Sequence, residues 1–174
     1  MEGEECPAEL EAMVGVRFSC GYYGRDLPDY WRVFMVHLTP FLLFDGNCAE
    51  AMEFYRSCLG GDLVLIRLGD TPMKDQMPVE KHQRITYAHL KSAAIEFSAT
   101  DWLHPIQKPK LGNMAGMYVS GDSFDDLKPI FDKLLDGADK EFLVELRDMP
   151  FGVYGHLTDR YGVGWFFRGA KQEG

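Results

Sequence analysis

The sequence predicts an α+β fold: two tandem βαβββ modules. Three observations carry this. The composition is that of a folded chain, the order of periodicities runs strand, helix, then three strands, and that order occurs twice. With 174 residues, 46% of them hydrophobic and 13% aromatic, the chain can bury one substantial core but not two enzymes of ordinary size. One domain built by duplication is the economical expectation.

The first strand is residues 36–44, an apolar run closed by the turn Asp45-Gly46-Asn47. A helix follows over residues 49–59, because Ala51, Phe54, Tyr55, Cys58 and Leu59 recur at helical spacing, and Gly60-Gly61 stops it. Strands are expected at residues 63–68, 84–90 and 94–99, with a polar loop over residues 69–83. The second pass places a strand at residues 114–119, the turn Ser120-Gly121-Asp122, a helix ending at Leu135, and strands near residues 141–146, 153–158 and 163–168. A constant offset of 76 maps Ala51, Phe54, Tyr55, Cys58, Leu59 and Gly61 onto Leu127, Ile130, Phe131, Leu134, Leu135 and Gly137, too many matched positions for chance. The modules therefore span about residues 36–101 and 113–168 of a domain covering residues 35–170. Pro129 fits the second helix poorly, since it removes a hydrogen bond and crowds the preceding turn. A helix capped at Ser123 is expected to start late, near Asp125 or Asp126, or to kink.

Residues 1–34 carry seven acidic and three basic side chains and no clear period. Two readings stand side by side: an N-terminal extension, or an extra helix over residues 8–14 docked on the domain.

Two stretches resemble a known family. Pro40-Phe41-Leu42-Leu43-Phe44-Asp45-Gly46-Asn47-Cys48-Ala49-Glu50-Ala51-Met52-Glu53-Phe54-Tyr55 resembles the opening of PhnB-like proteins, a branch of the glyoxalase, bleomycin-resistance and dioxygenase (vicinal oxygen chelate) superfamily. Gly155-His156-Leu157-Thr158-Asp159-Arg160-Tyr161-Gly162-Val163-Gly164-Trp165 resembles that family's end. The resemblance covers about residues 38–168 and implies paired βαβββ modules around a cleft, commonly assembled as homodimers. Some relatives carry the label of a ubiquinone-pathway methyltransferase, but this chain has no Gly-rich nucleotide-binding turn after a parallel strand. It also departs from many relatives in having Tyr87 and His89 in the third strand, and Phe151-Gly152-Val153 before the last hairpin.

Metalloenzymes of the superfamily place His, Gln or Glu on the first and last strands of each module, because a divalent ion needs three or four converging donors. Here the resemblance puts those positions at Pro40, Gly116, Phe166 and Ser98 or, two residues away, Glu96. At most one side-chain ligand survives, and His37 is a weak further candidate. No metal and no cofactor are expected.

Strand alternation puts Ile85, Tyr87 and His89 on one face of the third strand, and Glu96, Ser98 and Thr100 on one face of the fourth. Tyr87, His89 and Glu96 form the candidate catalytic group, since a histidine titrates near neutrality and a carboxylate can orient it. Ordinary sheet-surface residues would show the same pattern. Ser98, Trp102, Met114, Tyr118, Phe151 and Phe166 are the candidate ligand-binding residues, offering flat or adaptable apolar walls. His82, His104 and His156 read as solvated or exposed.

A net charge of −9 opposes binding to nucleic acid and to anionic membranes. No apolar run approaches the ~20 residues of a membrane span, and the acidic start is unlike a secretory signal. Cys6, Cys20, Cys48 and Cys58 form no Cys-x-x-Cys pair, which suits reduced thiols in the cytoplasm. The expectation is a cytoplasmic, dimeric, metal-free protein that binds or sequesters a small molecule. The rivals are a lyase, isomerase or dioxygenase-like enzyme with an unrecognised metal site, and a structural protein whose cleft is filled by Phe151 and Phe166.

Overall fold

The computed structural model describes residues 38–110 and 112–171. The expectations for residues 1–34, for the start of the first strand and for His37 lie outside the described residues. The chain runs β1 (Phe41–Phe44), α1 (Cys48–Leu59), β2 (Asp62–Arg67), β3 (Ile85–Lys91), β4 (Glu96–Asp101), β5 (Met117–Gly121), α2 (Phe124–Leu135), β6 (Asp139–Met149), β7 (Gly152–Thr158) and β8 (Gly164–Gly169). This is the expected βαβββ order, twice. The polar loop between β2 and β3 holds three short 3-10 turns, Leu68–Asp70, Pro72–Gln76 and Val79–Lys81.

Each module forms one open four-stranded mixed sheet, in the orders β1-β4-β3-β2 and β5-β8-β7-β6. The first strand of each lies parallel to the last, with β1 on β4 and β5 on β8, and the other pairs are antiparallel. A parallel neighbour cannot be reached by a tight hairpin, so the helix follows the first strand and crosses one face of its sheet. The repeated apolar positions are what that face buries. Ala51, Tyr55 and Cys58 in α1, and their counterparts Leu127, Phe131 and Leu134 in α2, are all buried. One apolar core joins both modules, from Phe44 to Phe167, with Tyr55 packed 5.5 Å from Trp165 between ring centroids. Removing this much aromatic area from water is the main stabilising term.

The helix boundaries follow local chemistry. At the turn before α1, Gly46 has φ +101°, a conformation a side chain would strain, and the Arg84 guanidinium lies against it. Helix α2 begins at Phe124, one residue before the earlier of the expected starts and directly after its cap, because the Ser123 hydroxyl accepts a hydrogen bond from the Asp126 N–H at 3.2 Å and donates to the Asp126 carboxylate at 2.6 Å. The cap satisfies an otherwise orphaned donor, and the helix continues through Pro129 to Leu135.

Two buried aspartates tie elements together. Asp101, at the end of β4, accepts from the N–H of Cys48 (3.1 Å) and of Ile85 (2.7 Å). Asp159, after β7, accepts from the Tyr55 hydroxyl, the Trp165 indole and the N–H of Tyr161, each at 2.8 Å, and from the N–H of Val163 at 3.0 Å. Asp159 thereby fixes the turn into β8 and clamps α1 to the second sheet. Burial, then the neighbouring Asp159 carboxylate, pushes the Tyr55 hydroxyl well above its usual range. Burial, then the Asp101 charge, lifts the Cys48 thiol from 9.0 to about 12.

Candidate functional site

Since each helix covers one face of its sheet, the chemistry-bearing side chains lie on the opposite faces. On β3, Ala88 and Leu90 point to the core while Tyr87 and His89 do not. Register then dictates their neighbours. Ile66 and Val64 of β2 pair with Tyr87 and His89, Ser98 of β4 pairs with His89, and Phe41 of β1 pairs with Ser98. The Tyr87, His89, Glu96 and Ser98 side chains therefore come together, as strand alternation predicts. Ile85 is a correction. It is fully buried in the core rather than beside Tyr87, because the β2–β3 register shifts between Ile66 and Arg67, and the extra residue of a bulge turns it to the other face.

Within this group, His89 Nδ1 lies 3.0 Å from Ser98 Oγ and His89 Nε2 lies 3.5 Å from Glu96 Oε1. The Tyr87 hydroxyl is 3.5 Å from Ser98 Oγ, and the Tyr87 and His89 rings stack with centroids 6.0 Å apart and planes 10° from parallel. The Glu96 carboxylate, also held by Lys91 Nζ at 3.2 Å, favours a proton on Nε2. That leaves the Nδ1 lone pair facing the serine hydroxyl. Around these polar groups stand Phe41, Leu43, Val64 and Ile66, all large and exposed.

The second sheet carries a related arrangement. Tyr118 pairs with Phe166, Phe166 with His156, and Tyr154 with Arg168. The Tyr154 hydroxyl lies 3.1 Å from His156 Nδ1, and the His156 and Phe166 rings sit 5.5 Å apart. Beside them runs an open groove of about 830 Å³ lined by Phe142, His156, Thr158, Arg160 and Phe166 among others. A smaller cavity of about 340 Å³ is lined by Pro40, Phe41, Gly116 and Met117.

The remaining sequence candidates are spread over several elements of the chain. Tyr118 and Phe166 belong to the second sheet. Phe151 sits beneath Arg168, whose guanidinium lies 4.7 Å above its ring and donates to its carbonyl. Trp102 is the first residue past β4, with its N–H donated to the Phe44 carbonyl and its ring stacked on His104. Met114 is fully exposed, three residues before β5 begins; no strand aims it anywhere. The sequence pattern missed Tyr154 and His156. The signal was present: Tyr87-Ala88-His89 and Tyr154-Gly155-His156 are the same Tyr-x-His on the third strand of each module.

The fold class raises the question of a metal, and the donor positions decide whether one fits. A Cβ built on Gly116 would stand 2.7 Å from Cε2 of Phe166. The Phe166 ring thus occupies the space into which a ligand from position 116 would project, and is itself no donor. Pro40 offers only a carbonyl, already accepting from the Ser98 N–H at 3.0 Å. Among the described residues no group of three or more His, Cys, Asp and Glu side chains could hold an ion. These residues do not fit the metal of the superfamily's enzymes.

Comparison with known proteins agrees with this architecture. The family model described as 3-demethylubiquinone-9 3-methyltransferase matches residues 36–167. The chain belongs to that family. It is 26% identical over 145 residues to protein YjdN of Escherichia coli K12, covering 78% of this chain and 97% of that one. The structure of a putative 3-demethylubiquinone-9 3-methyltransferase, PhnB protein, from Bacillus cereus superposes with a TM-score of 0.60 at 25% identity, over 78% of this chain and 100% of that one. A glyoxylase/bleomycin resistance protein/dioxygenase domain from Frankia sp. EAN1pec shares the fold, with a TM-score of 0.54 at 14% identity over 80% and 95% of the two chains. PhnB-like membership and the glyoxalase-like fold of two tandem modules therefore stand.

Proposed function

We propose that this PhnB-like protein binds a small organic molecule without a metal, on the helix-free faces of its sheets. The observation that carries the reading is the Phe166 ring seated on Gly116, which replaces two donor positions with an apolar surface. The polar groups that remain, His89 with Ser98 and His156 with Tyr154, are few and flanked by half-exposed apolar side chains, as in organic-ligand sites generally. A methyltransferase activity gains no support from the turns after the parallel strands, Asp45-Gly46-Asn47 and Gly121-Asp122-Ser123, which lack the glycine-rich pattern that cradles a nucleotide.

The same reading takes the protein to be a cytoplasmic homodimer. Both four-stranded sheets are open, with β1 and β2 at the edges of one and β5 and β6 at the edges of the other, and a second copy related by a twofold axis can cover such edges while leaving the helix-free faces clear. Buried, unpaired Cys48 and Cys58 suit a reducing compartment. Among the described residues no helix is long and apolar enough to cross a membrane.

A thermal-shift screen of uncharged and anionic aromatic compounds in metal-free buffer tests the binding reading. At least one compound should raise the melting temperature, and Phe166→Ala should abolish the rise while remaining folded by circular dichroism. No stabilisation by any compound would overturn it. Sedimentation at micromolar concentration tests the assembly; a monomer throughout would remove the dimer.

A further inference from the structure

The binding reading uses His89, Ser98 and Glu96 only as polar contacts, yet their order in space is that of a nucleophile with its base and orienting acid. We infer that Ser98 is a nucleophile able to take an acyl group from an activated ester with a small apolar acyl chain. His89 is its general base, Glu96 the positioning carboxylate and Tyr87 the donor to the developing oxyanion.

The geometry meets each requirement of such a relay. The nucleophile must hydrogen-bond the base, and Ser98 Oγ lies 3.0 Å from His89 Nδ1. The base must present a lone pair, which requires the proton on Nε2, and Glu96 Oε1 stands 3.5 Å from that nitrogen. An oxyanion formed at the attacked carbon needs a donor beside the nucleophile, and the Tyr87 hydroxyl is 3.5 Å from Ser98 Oγ. The neighbouring hydroxyl of Thr100 is committed to the carbonyls of Ile85 and Thr86, at 3.0 Å each, whereas the Ser98 hydroxyl, buried at 7% exposure, bonds the side chains of His89 and Tyr87. Val64, Ile66, Phe41 and Leu43 surround it with exposed apolar surface, which selects an apolar acyl chain over a charged one.

In the step itself Ser98 Oγ bonds to the ester carbonyl carbon as its proton passes to His89 Nδ1. The tetrahedral oxyanion then collapses, the bond to the aryl oxygen breaks, and the leaving phenoxide takes that proton. Water attacks the acyl-serine by the same route, with His89 as base, and restores the free hydroxyl.

The test uses a fluorophosphonate probe on the full chain. Its phosphorus bonds to an activated serine oxygen, fluoride leaves, and the serine proton passes to the base. Mass spectrometry should find one adduct, and peptide mapping should place it on Ser98. Ser98→Ala should take up none, and His89→Ala should label at least about 100-fold more slowly, the usual contribution of a general base. Mapping in the wild-type chain locates the adduct even where a variant fails to fold. The groups facing His89 are Tyr87 on its own strand, Ser98 and Glu96 on β4, and Lys91 through Glu96; β2 contributes apolar Val64. Loss of the carboxylate in Glu96→Gln should slow labelling, and Glu96→Asp, which keeps the carboxylate, should restore most of the rate. Equal rates in Glu96→Gln and wild type, or no rescue by Glu96→Asp, would overturn its role. No adduct, an adduct elsewhere, or a His89→Ala rate equal to wild type overturns the inference. Absent labelling alongside a stabilising compound would leave the binding reading standing; labelling where no compound stabilises would do the reverse.

Discussion

Asp159 shows how much one side chain organises. Both of its carboxylate oxygens accept two hydrogen bonds, Oδ1 from the N–H of Tyr161 and Val163, and Oδ2 from Tyr55 and Trp165. Asparagine is therefore no conservative replacement, since its NH₂ would face donors on one side. Asp159→Asn and Asp159→Ala should each cost about 3 kcal/mol or more, because several buried donors lose a charged acceptor at once. Urea denaturation measures this, and a loss below about 1 kcal/mol would mean that water replaces the carboxylate. A second residue-level consequence concerns pH. Burial raises the Cys48 thiol from 9.0 to about 12, and burial with a hydrogen bond to Glu50 raises the Tyr161 hydroxyl from 10.0 to about 12. Each favours its protonated, neutral form in the folded state. Their contributions are whole below the unfolded values and are lost as pH climbs through the folded ones. Stability should thus be level near neutrality and fall between pH 9 and 12, as urea midpoints at stepped pH will record; an unchanged midpoint at the upper end of that range would contradict it.

At the scale of elements, Pro129 is a place where local preference and observed structure disagree. The ring leaves the Asp125 carbonyl without its helical partner, at a cost of about 3 kcal/mol in a helix interior. The Ser123 cap and the burial of Leu127, Phe131 and Leu134 outweigh that cost, which is why the helix does not start late. Pro129→Ala should raise stability by about 1–2 kcal/mol, the restored bond being partly offset by a more flexible unfolded chain. A destabilised variant would show that the ring packs usefully.

The same element makes clear what the sequence could and could not convey. Helices were legible because buried positions such as Tyr55 and Phe131 recur at one period and at one offset. The third and fourth strands were legible from alternation, which also brought His89 beside Ser98. Two things were not. A bulge shifts the face of Ile85 without any mark in the alternating pattern, and Tyr154 and His156 repeat at a spacing of 67 rather than 76, because the loop between β2 and β3 has no equal in the second module. The placing of Trp102 and Met114 beside Phe166 had no support from periodicity, for a plainer reason. Both lie outside strands, where periodicity says nothing about direction.

In the whole molecule, one core joins the two modules and leaves two sheet faces free of helix. The described core begins at Phe44, so a chain truncated before Met35 should unfold cooperatively in urea with little change in midpoint. Loss of cooperativity would mean that the first residues belong to the domain. Pro40, Gly116 and Phe166 stand where the superfamily's enzymes need donors, so the proposed binding needs no metal. The direct measurement is elemental analysis of the full-length protein purified without added metal or chelator, at a known protein concentration. Transition metals should come out far below one atom per chain; one tightly held zinc, manganese, iron or nickel per chain would show that a metal site exists after all.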